Sequence, residues 1–195
     1  MAASDPVLAS VLSELGPPPL WKRPATLATL VRIILEQQVS LASAKATFDR
    51  LVLACDGKVT HHAILEMGQQ QLAALGFSRQ KARYTHTLAQ QVDRGNFKIG
   101  GLSRKSDEDV RAAITDQLGM GNWTADVFLM MALLRSDLFP TGDLALVKGL
   151  EELEGKSYAT ADSLLARAEH WRPYRSVATR MIWQSYLHKR SKVIP

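Results

Sequence analysis

Two glycines, a tryptophan and an aspartate are the residues of this chain whose types and spacing invite chemistry. Gly119-Met120-Gly121 falls between two segments that both read as helices, and Trp123-Thr-Ala follows directly. Two helices joined by so few residues must turn sharply, and glycine supplies the backbone angles at no steric cost. A helix opening just after such a turn aims several backbone N–H groups and its positive dipole end at solvent, which makes an anion site. In a basic chain the natural anion is a nucleic-acid phosphate; an ordinary helical hairpin is the plainer alternative. Twenty residues after Trp123 comes Asp143, in Phe-Pro-Thr-Gly-Asp. A carboxylate at a loop-to-helix junction ordinarily serves as an N-cap. Fixed in a dry cleft, the same group steadies a growing positive charge far better than it would in water.

The elements that must position these residues read almost entirely as helix. Ser106 caps the first arm of the hairpin, with Asp107, Glu108 and Asp109 in its opening turn and Val110, Ile114 and Leu118 as an apolar stripe. The second arm runs from Trp123 to about Arg135, capped by Asn122. Upstream, Asp5-Pro6 opens a short helix ending at Gly16, and Pro17 to Pro19 form a stiff connector. Leu27, Leu30, Val31, Ile34 and Leu35 mark a strongly apolar helix ending near Gln37-Gln38-Val39. Ser40 caps the next, which reaches about Ala54. Thr60 begins a helix stopped by Gly68, a short one follows to Gly76, and Ser78 caps a basic helix ending at Gly95. Arg79, Lys81 and Arg83 read as its solvated face, with a DNA contact as the alternative. Downstream, Leu144 to Leu153 is helical, Thr160 caps another helix, and Pro173 opens a last one reaching about Arg190. No run alternates convincingly, so the expected fold class is all-α.

Composition narrows the function classes. The 195 residues are 46% hydrophobic, enough for one domain or two small lobes. The net charge is +5, and Arg172–Pro195 holds six Arg or Lys with no Asp or Glu, suiting a polyanionic partner or a solvated terminal helix. A single cysteine, Cys55, excludes an intrachain disulfide and an iron–sulfur ligand set. No stretch approaches a membrane span and no signal pattern opens the chain, so the reading is a cytoplasmic protein with no membrane partner. No zinc or magnesium site is expected: His61 and His62 are adjacent rather than facing, and His86, His170 and His188 lack partners at ligand spacing.

The hairpin, Trp-Thr-Ala and the spaced aspartate together resemble the helix-hairpin-helix DNA glycosylase superfamily, in its alkylated-base branch of 3-methyladenine DNA glycosylase II type. The resemblance covers roughly Leu27 to Leu187. It implies a two-lobed helical unit over 1–195, with lobe A at about 27–103 plus parts of the termini and lobe B at about 104–190 carrying both hairpin and aspartate. The N-terminal sheet domain of many members has no room here. Asp143 matches the family's catalytic aspartate. Members that also cut the strand place a Schiff-base lysine where this chain has Trp123, so a monofunctional enzyme leaving an abasic site is implied. Trp123 and Trp183 match pocket aromatics, and paired indoles suit a base made cationic by alkylation. Core packing is the alternative for both. Trp171 and Tyr174 read as packing the last helix, and Trp21 as a core or surface residue without chemistry.

Within the helix-end segment, Gln37 is expected in the base pocket and Gln38 as the wedge filling the gap left by the flipped base. The wedge is often apolar, so Gln38 would instead hydrogen-bond the orphaned partner base; solvated helix-end glutamines are the alternative. Val127, one turn after Trp123, stands where relatives can carry a large aromatic and suggests a roomier pocket. The resemblance also places phosphate contacts at the amides of Gly119, Gly121 and Trp123, assisted by the Thr124 hydroxyl. A monovalent cation, K+ or Na+, would sit on the main-chain oxygens of Thr115, Gln117 and Gly119. The implied partner is double-stranded DNA containing alkylated bases, bound by a monomer. A hairpin module that binds DNA without catalysis, and a glycosylase for oxidised or mispaired bases, stand as rivals.

Overall fold

A computed structural model describes residues 4–190, and among them there are helices and no strands. Lys192 of the basic tail lies outside the described residues. Ten α-helices follow in order: α1 (Pro6–Leu15), α2 (Leu27–Glu36), α3 (Leu41–Ala54), α4 (His61–Ala74), α5 (Arg79–Asp93), α6 (Asp107–Thr115), α7 (Asn122–Met131), α8 (Leu144–Glu154), α9 (Ala161–Ala168) and α10 (Arg175–Arg190). Six of the caps read from sequence form as side-chain hydrogen bonds, while Asn122, expected as a cap, is instead the first residue of α7. Asp5, Ser40, Thr60, Ser78, Ser106 and Thr160 each accept a first-turn N–H. Each satisfies a donor that a helix start leaves unpaired.

The chain divides into two compact units. One holds Arg23–Phe128; the other holds the chain up to Lys22 together with the chain from Leu129 onward. This corrects the expected lobes: the boundary falls inside α7, not near 103, and the hairpin belongs with α2–α5 instead of with Asp143. The reason lies in tertiary bonds. Gln37 and Tyr84 engage Gly119 within the Arg23–Phe128 unit, whereas Arg180 of α10 grips the carbonyl of Met130.

In the Arg23–Phe128 unit the core is built on α2, whose Leu30, Val31, Ile33 and Ile34 are fully buried, with Leu51, Ile64, Leu72 and Leu88 from α3, α4 and α5. Gly68, at φ +64°, breaks α4 into the two short helices expected there. A 3-10 segment at Ile99–Arg104 was not expected. Leu118 departs from its stripe: α6 ends at Thr115, and Leu118 is exposed in the turn. The helix α7 stops at Met131, short of Arg135, where Leu134 adopts a left-handed backbone and the Arg135 N–H returns to the Leu129 carbonyl.

In the other unit α10 is the central element, buried from Ser176 to Ser185 except at Val177, and packed on α1 and α8. It begins at Arg175, two residues later than the proline suggested. Asp5 ties the first helix down: its Oδ2 accepts from Arg167 at 2.6 Å and from the buried Trp171 indole at 2.7 Å. Burial alone would push the Asp5 carboxyl up, but these bonds and the Leu8 N–H outweigh it and hold the group below its ordinary 3.8. Tyr174 is 53% exposed and so does not pack the last helix as expected.

Candidate active site

Asp143 is the N-cap of α8. Its Oδ1 accepts the Leu146 N–H at 2.7 Å and the Trp183 indole N–H at 3.0 Å. The residue is 9% exposed, so the carboxylate is largely removed from water, where its field reaches further than it would at an open surface. The capping reading of this aspartate is realised, and the same geometry fixes a carboxylate largely removed from water.

The meeting of Asp143 with Trp183 depends on close helix packing. Gly149, in the second turn of α8, lies against α10 where a Cβ would come within 2.8 Å of Ile182 Cγ2 and 3.2 Å of the Ile182 carbonyl. Nothing bulkier than glycine lets α8 approach that near, and Ile182 precedes the tryptophan that holds Asp143. Gly149 went unnoticed in the sequence because a glycine within a helical pattern carries no signal of what faces it.

Trp183 is corrected in role. It is 7% exposed, and its N–H is committed to Asp143, so it orients the carboxylate instead of offering a broad open platform. Trp21 packs against it: the two rings have centroids 6.3 Å apart and planes tilted by 60°. Its segment is fixed by Arg180, a buried guanidinium that donates to the carbonyls of Leu20 at 3.1 Å, Ser176 at 3.1 Å and Met130 at 2.6 Å. Burial lowers the Arg180 pKa, and three carbonyl acceptors supply what hydration would have given.

The second group of candidate residues lies in the Arg23–Phe128 unit. Gly119 has φ +79°, and a Cβ there would stand 2.1 Å from the Tyr84 ring. Gly121 is different: its φ is not left-handed, and a Cβ would meet nothing within 4 Å. The hairpin arms are joined by Arg111, which donates to Asp126 Oδ1 at 3.1 and 2.7 Å. Burial raises the Asp126 pKa, outweighing the arginine. Trp123 is half-buried.

Gln37 does not stand open to a base. Its amide nitrogen donates to the Gly119 carbonyl at 3.0 Å and to Thr124 Oγ1 at 3.1 Å, binding the end of α2 to the hairpin turn. Thr124 is 1% exposed, so its hydroxyl is an internal acceptor and not the phosphate contact expected. Val127 is 2% exposed and packs in the interior. Gln38, by contrast, is exposed with φ +55°, a conformation that costs a non-glycine residue about 1–2 kcal/mol. Lys81 overturns the solvated-face reading for its own position, while Arg79 and Arg83 are exposed as expected. Its ammonium donates to the carbonyls of Leu35 at 2.7 Å and Gln37 at 2.8 Å, at the negative end of α2, and burial lowers its pKa. Spacing could not reveal this partner, 44 residues away in sequence.

Of the oxygens expected to hold a cation, the Gln117 carbonyl accepts from the Met120 N–H at 3.1 Å and the Gly119 carbonyl from Gln37. Each retains a second lone pair, and Thr115 is exposed, so the donor set fits a weakly held monovalent ion. The histidine expectation also changes, because Asp93 of α5 converges on His61 and His62.

The chain belongs to the HhH-GPD superfamily of base excision DNA repair proteins, whose profile matches residues 31–173. It is 29% identical over 188 residues to the YfjP protein of Bacillus subtilis, covering 91% of this chain and 65% of that one. It thus spans just under two thirds of that relative's length. DNA-3-methyladenine glycosylase 1 of Schizosaccharomyces pombe is 27% identical over 160 residues, 80% of this chain and 70% of its own. The fold matches that of the S. pombe 3-methyladenine DNA glycosylase Mag1, solved in complex with abasic DNA. That match has a TM-score of 0.81 at 23% identity and covers 100% of this chain and 97% of that one. No helix among the described residues is long and apolar enough to cross a membrane.

Proposed function

We propose that this protein is a monofunctional DNA glycosylase that releases alkylated bases, such as 3-methyladenine and 7-methylguanine, from double-stranded DNA. The observation that carries the reading is Asp143: a desolvated carboxylate at a helix start, held on one oxygen by a backbone N–H and an indole N–H. Such a group has no need of a metal to stabilise positive charge in front of it.

In the proposed reaction the N-glycosidic bond breaks with its electron pair leaving on the base. An alkylated purine is already cationic, so it departs neutral without a proton from the protein. Positive charge grows on the sugar and is opposed by Asp143. Water then bonds to the sugar carbon and gives up a proton, to Asp143 or to solvent, leaving an abasic site. No residue supplies an amine at position 123, which supports base release without strand cleavage. The half-buried Trp123 meets the base through cation–π contact, and Gln38, exposed and in a left-handed conformation, fills the gap left in the duplex. The backbone amides at Gly119, Gly121 and Trp123 hold a phosphate. A potassium or sodium ion would be held by the remaining lone pairs of the Gln117 and Gly119 carbonyls together with Thr115. It would supply positive charge toward that phosphate, with no chemical step passing through it.

Asp143→Asn tests the reading, because asparagine keeps a capping oxygen and removes the charge. Base release from methylated DNA should fall by about 100- to 1000-fold, while affinity for an abasic duplex stays within about threefold. Wild-type protein that binds such DNA and liberates no base would establish the non-catalytic reading instead.

A further inference from the structure

We propose that His61, His62 and Asp93 form a binding site for a late first-row divalent metal, zinc being the natural occupant. The three donor groups come together at one corner of the Arg23–Phe128 unit, where the first turn of α4 meets the last residue of α5. One ligand atom from each of them lies within 4.8 Å of the others. His61 Nε2 stands 3.7 Å from Asp93 Oδ1, and His62 Nδ1 stands 3.9 Å from the same oxygen. Both separations are too long for hydrogen bonds. They are close to the edge of a coordination polyhedron, which is about 3.4 Å for tetrahedral zinc with ligands at about 2.0–2.1 Å. Small side-chain adjustments at an exposed corner close the difference.

Neighbouring residues on a helix normally point about 100° apart, so two adjacent histidines seldom share a target. Here their rings lie 4.0 Å apart, tilted by 42°, and they turn different nitrogens toward one carboxylate. Two imidazoles and a carboxylate select zinc, cobalt, nickel or copper over magnesium or calcium, which want oxygen ligands throughout. Among the described residues no other group of three His, Cys, Asp or Glu converges in this way.

The site stands apart from the hairpin contacts. Tyr84 and Asp93 are nine residues apart on α5, about 14 Å along the helix axis. A bound ion would therefore act as a clip between α4 and α5 and take no part in base release. The side chains of His61, His62 and Asp93 are 31%, 78% and 43% exposed, so water competes for the metal. The dissociation constant should be on the order of micromolar, well short of the affinity of a four-ligand structural site.

The experiment titrates zinc(II) into metal-stripped full-length protein at pH 7.5 against a chromophoric chelator, and follows thermal unfolding with and without the metal. Expected are one zinc per chain and a Tm raised by about 2–4 °C. Affinity should fall at least tenfold in His62→Ala and again in Asp93→Ala. Both substitutions lie at exposed positions, so the variants fold. Binding that fails to saturate below about 100 µM, or that persists in both variants, overturns the proposal. A base-release assay on the same samples is unaffected by the metal, so this result is read separately from the glycosylase reading.

Discussion

Gly119 and Gly121 are separated by one residue, yet the structure assigns them opposite sensitivities, and a pair of alanine substitutions exposes the difference. At Gly119 an added Cβ would lie 2.1, 2.2 and 2.4 Å from three Tyr84 ring atoms, and φ is +79°. The left-handed backbone costs alanine about 1–2 kcal/mol, and forcing the ring aside adds about 1–3 kcal/mol. Gly119→Ala should therefore lose about 2–5 kcal/mol of stability, visible as an earlier urea midpoint. At Gly121 nothing lies within 4 Å of the new methyl and the backbone is not left-handed, so the fold should be unchanged or gain up to about 1 kcal/mol from a less flexible unfolded chain. Under the proposed function, the open space at Gly121 is where a phosphate comes close to the backbone. Losing one charge-assisted hydrogen bond there, worth about 1.5–3 kcal/mol, should weaken abasic-duplex binding about 10- to 100-fold by fluorescence anisotropy. A Gly121→Ala protein that binds DNA like wild type would refute the phosphate cradle. A Gly119→Ala protein of unchanged stability would refute the packing of Tyr84 on the turn.

Other expectations follow from the aspartate side. Trp183→Phe keeps the apolar bulk but removes the N–H held at 3.0 Å by Asp143, so single-turnover base release should slow about tenfold, with abasic-duplex affinity kept. Gly149→Ala inserts a methyl 2.8 Å from Ile182, prising α8 from α10; base release should fall with a stability loss of about 1–3 kcal/mol, checked by calorimetry alongside kinetics. Acid should weaken the fold through Asp5, whose pKa is lowered in the folded state. Its contribution is present in full above its ordinary 3.8 and is lost as pH falls through the depressed folded value. Denaturant midpoints should show Asp5→Asn less stable by about 1–3 kcal/mol at pH 7, with the gap to wild type closing as the pH is taken down from 4 toward 2.

Much of this protein was determined by local sequence. Helix starts at Ser40, Thr60, Ser78, Ser106 and Thr160 were legible because a short oxygen-bearing side chain satisfies an N–H two or three residues away, a purely local bond. The hairpin turn and the helix start at Asp143 were legible for the same reason: glycine's freedom and the capping carboxylate act over a few residues. Helix ends were harder, and α7 stopping at Met131 reflects a turn at Leu134 that no glycine or proline announces.

Tertiary structure alone decided which residues share work. Trp183 holds Asp143 from 40 positions away, Gln37 reaches Gly119 across 82, and Lys81 caps α2 from a different helix. The gap Gly149 leaves for Ile182, and the convergence of Asp93 on two histidines 31 and 32 residues earlier, belong to the same kind. Local bonds are written in the order of residues, because the atoms that make them are already tethered together. Long-range bonds depend on the distance and rotation at which helices pack, and these emerge only when the whole apolar surface of each helix has found its partner.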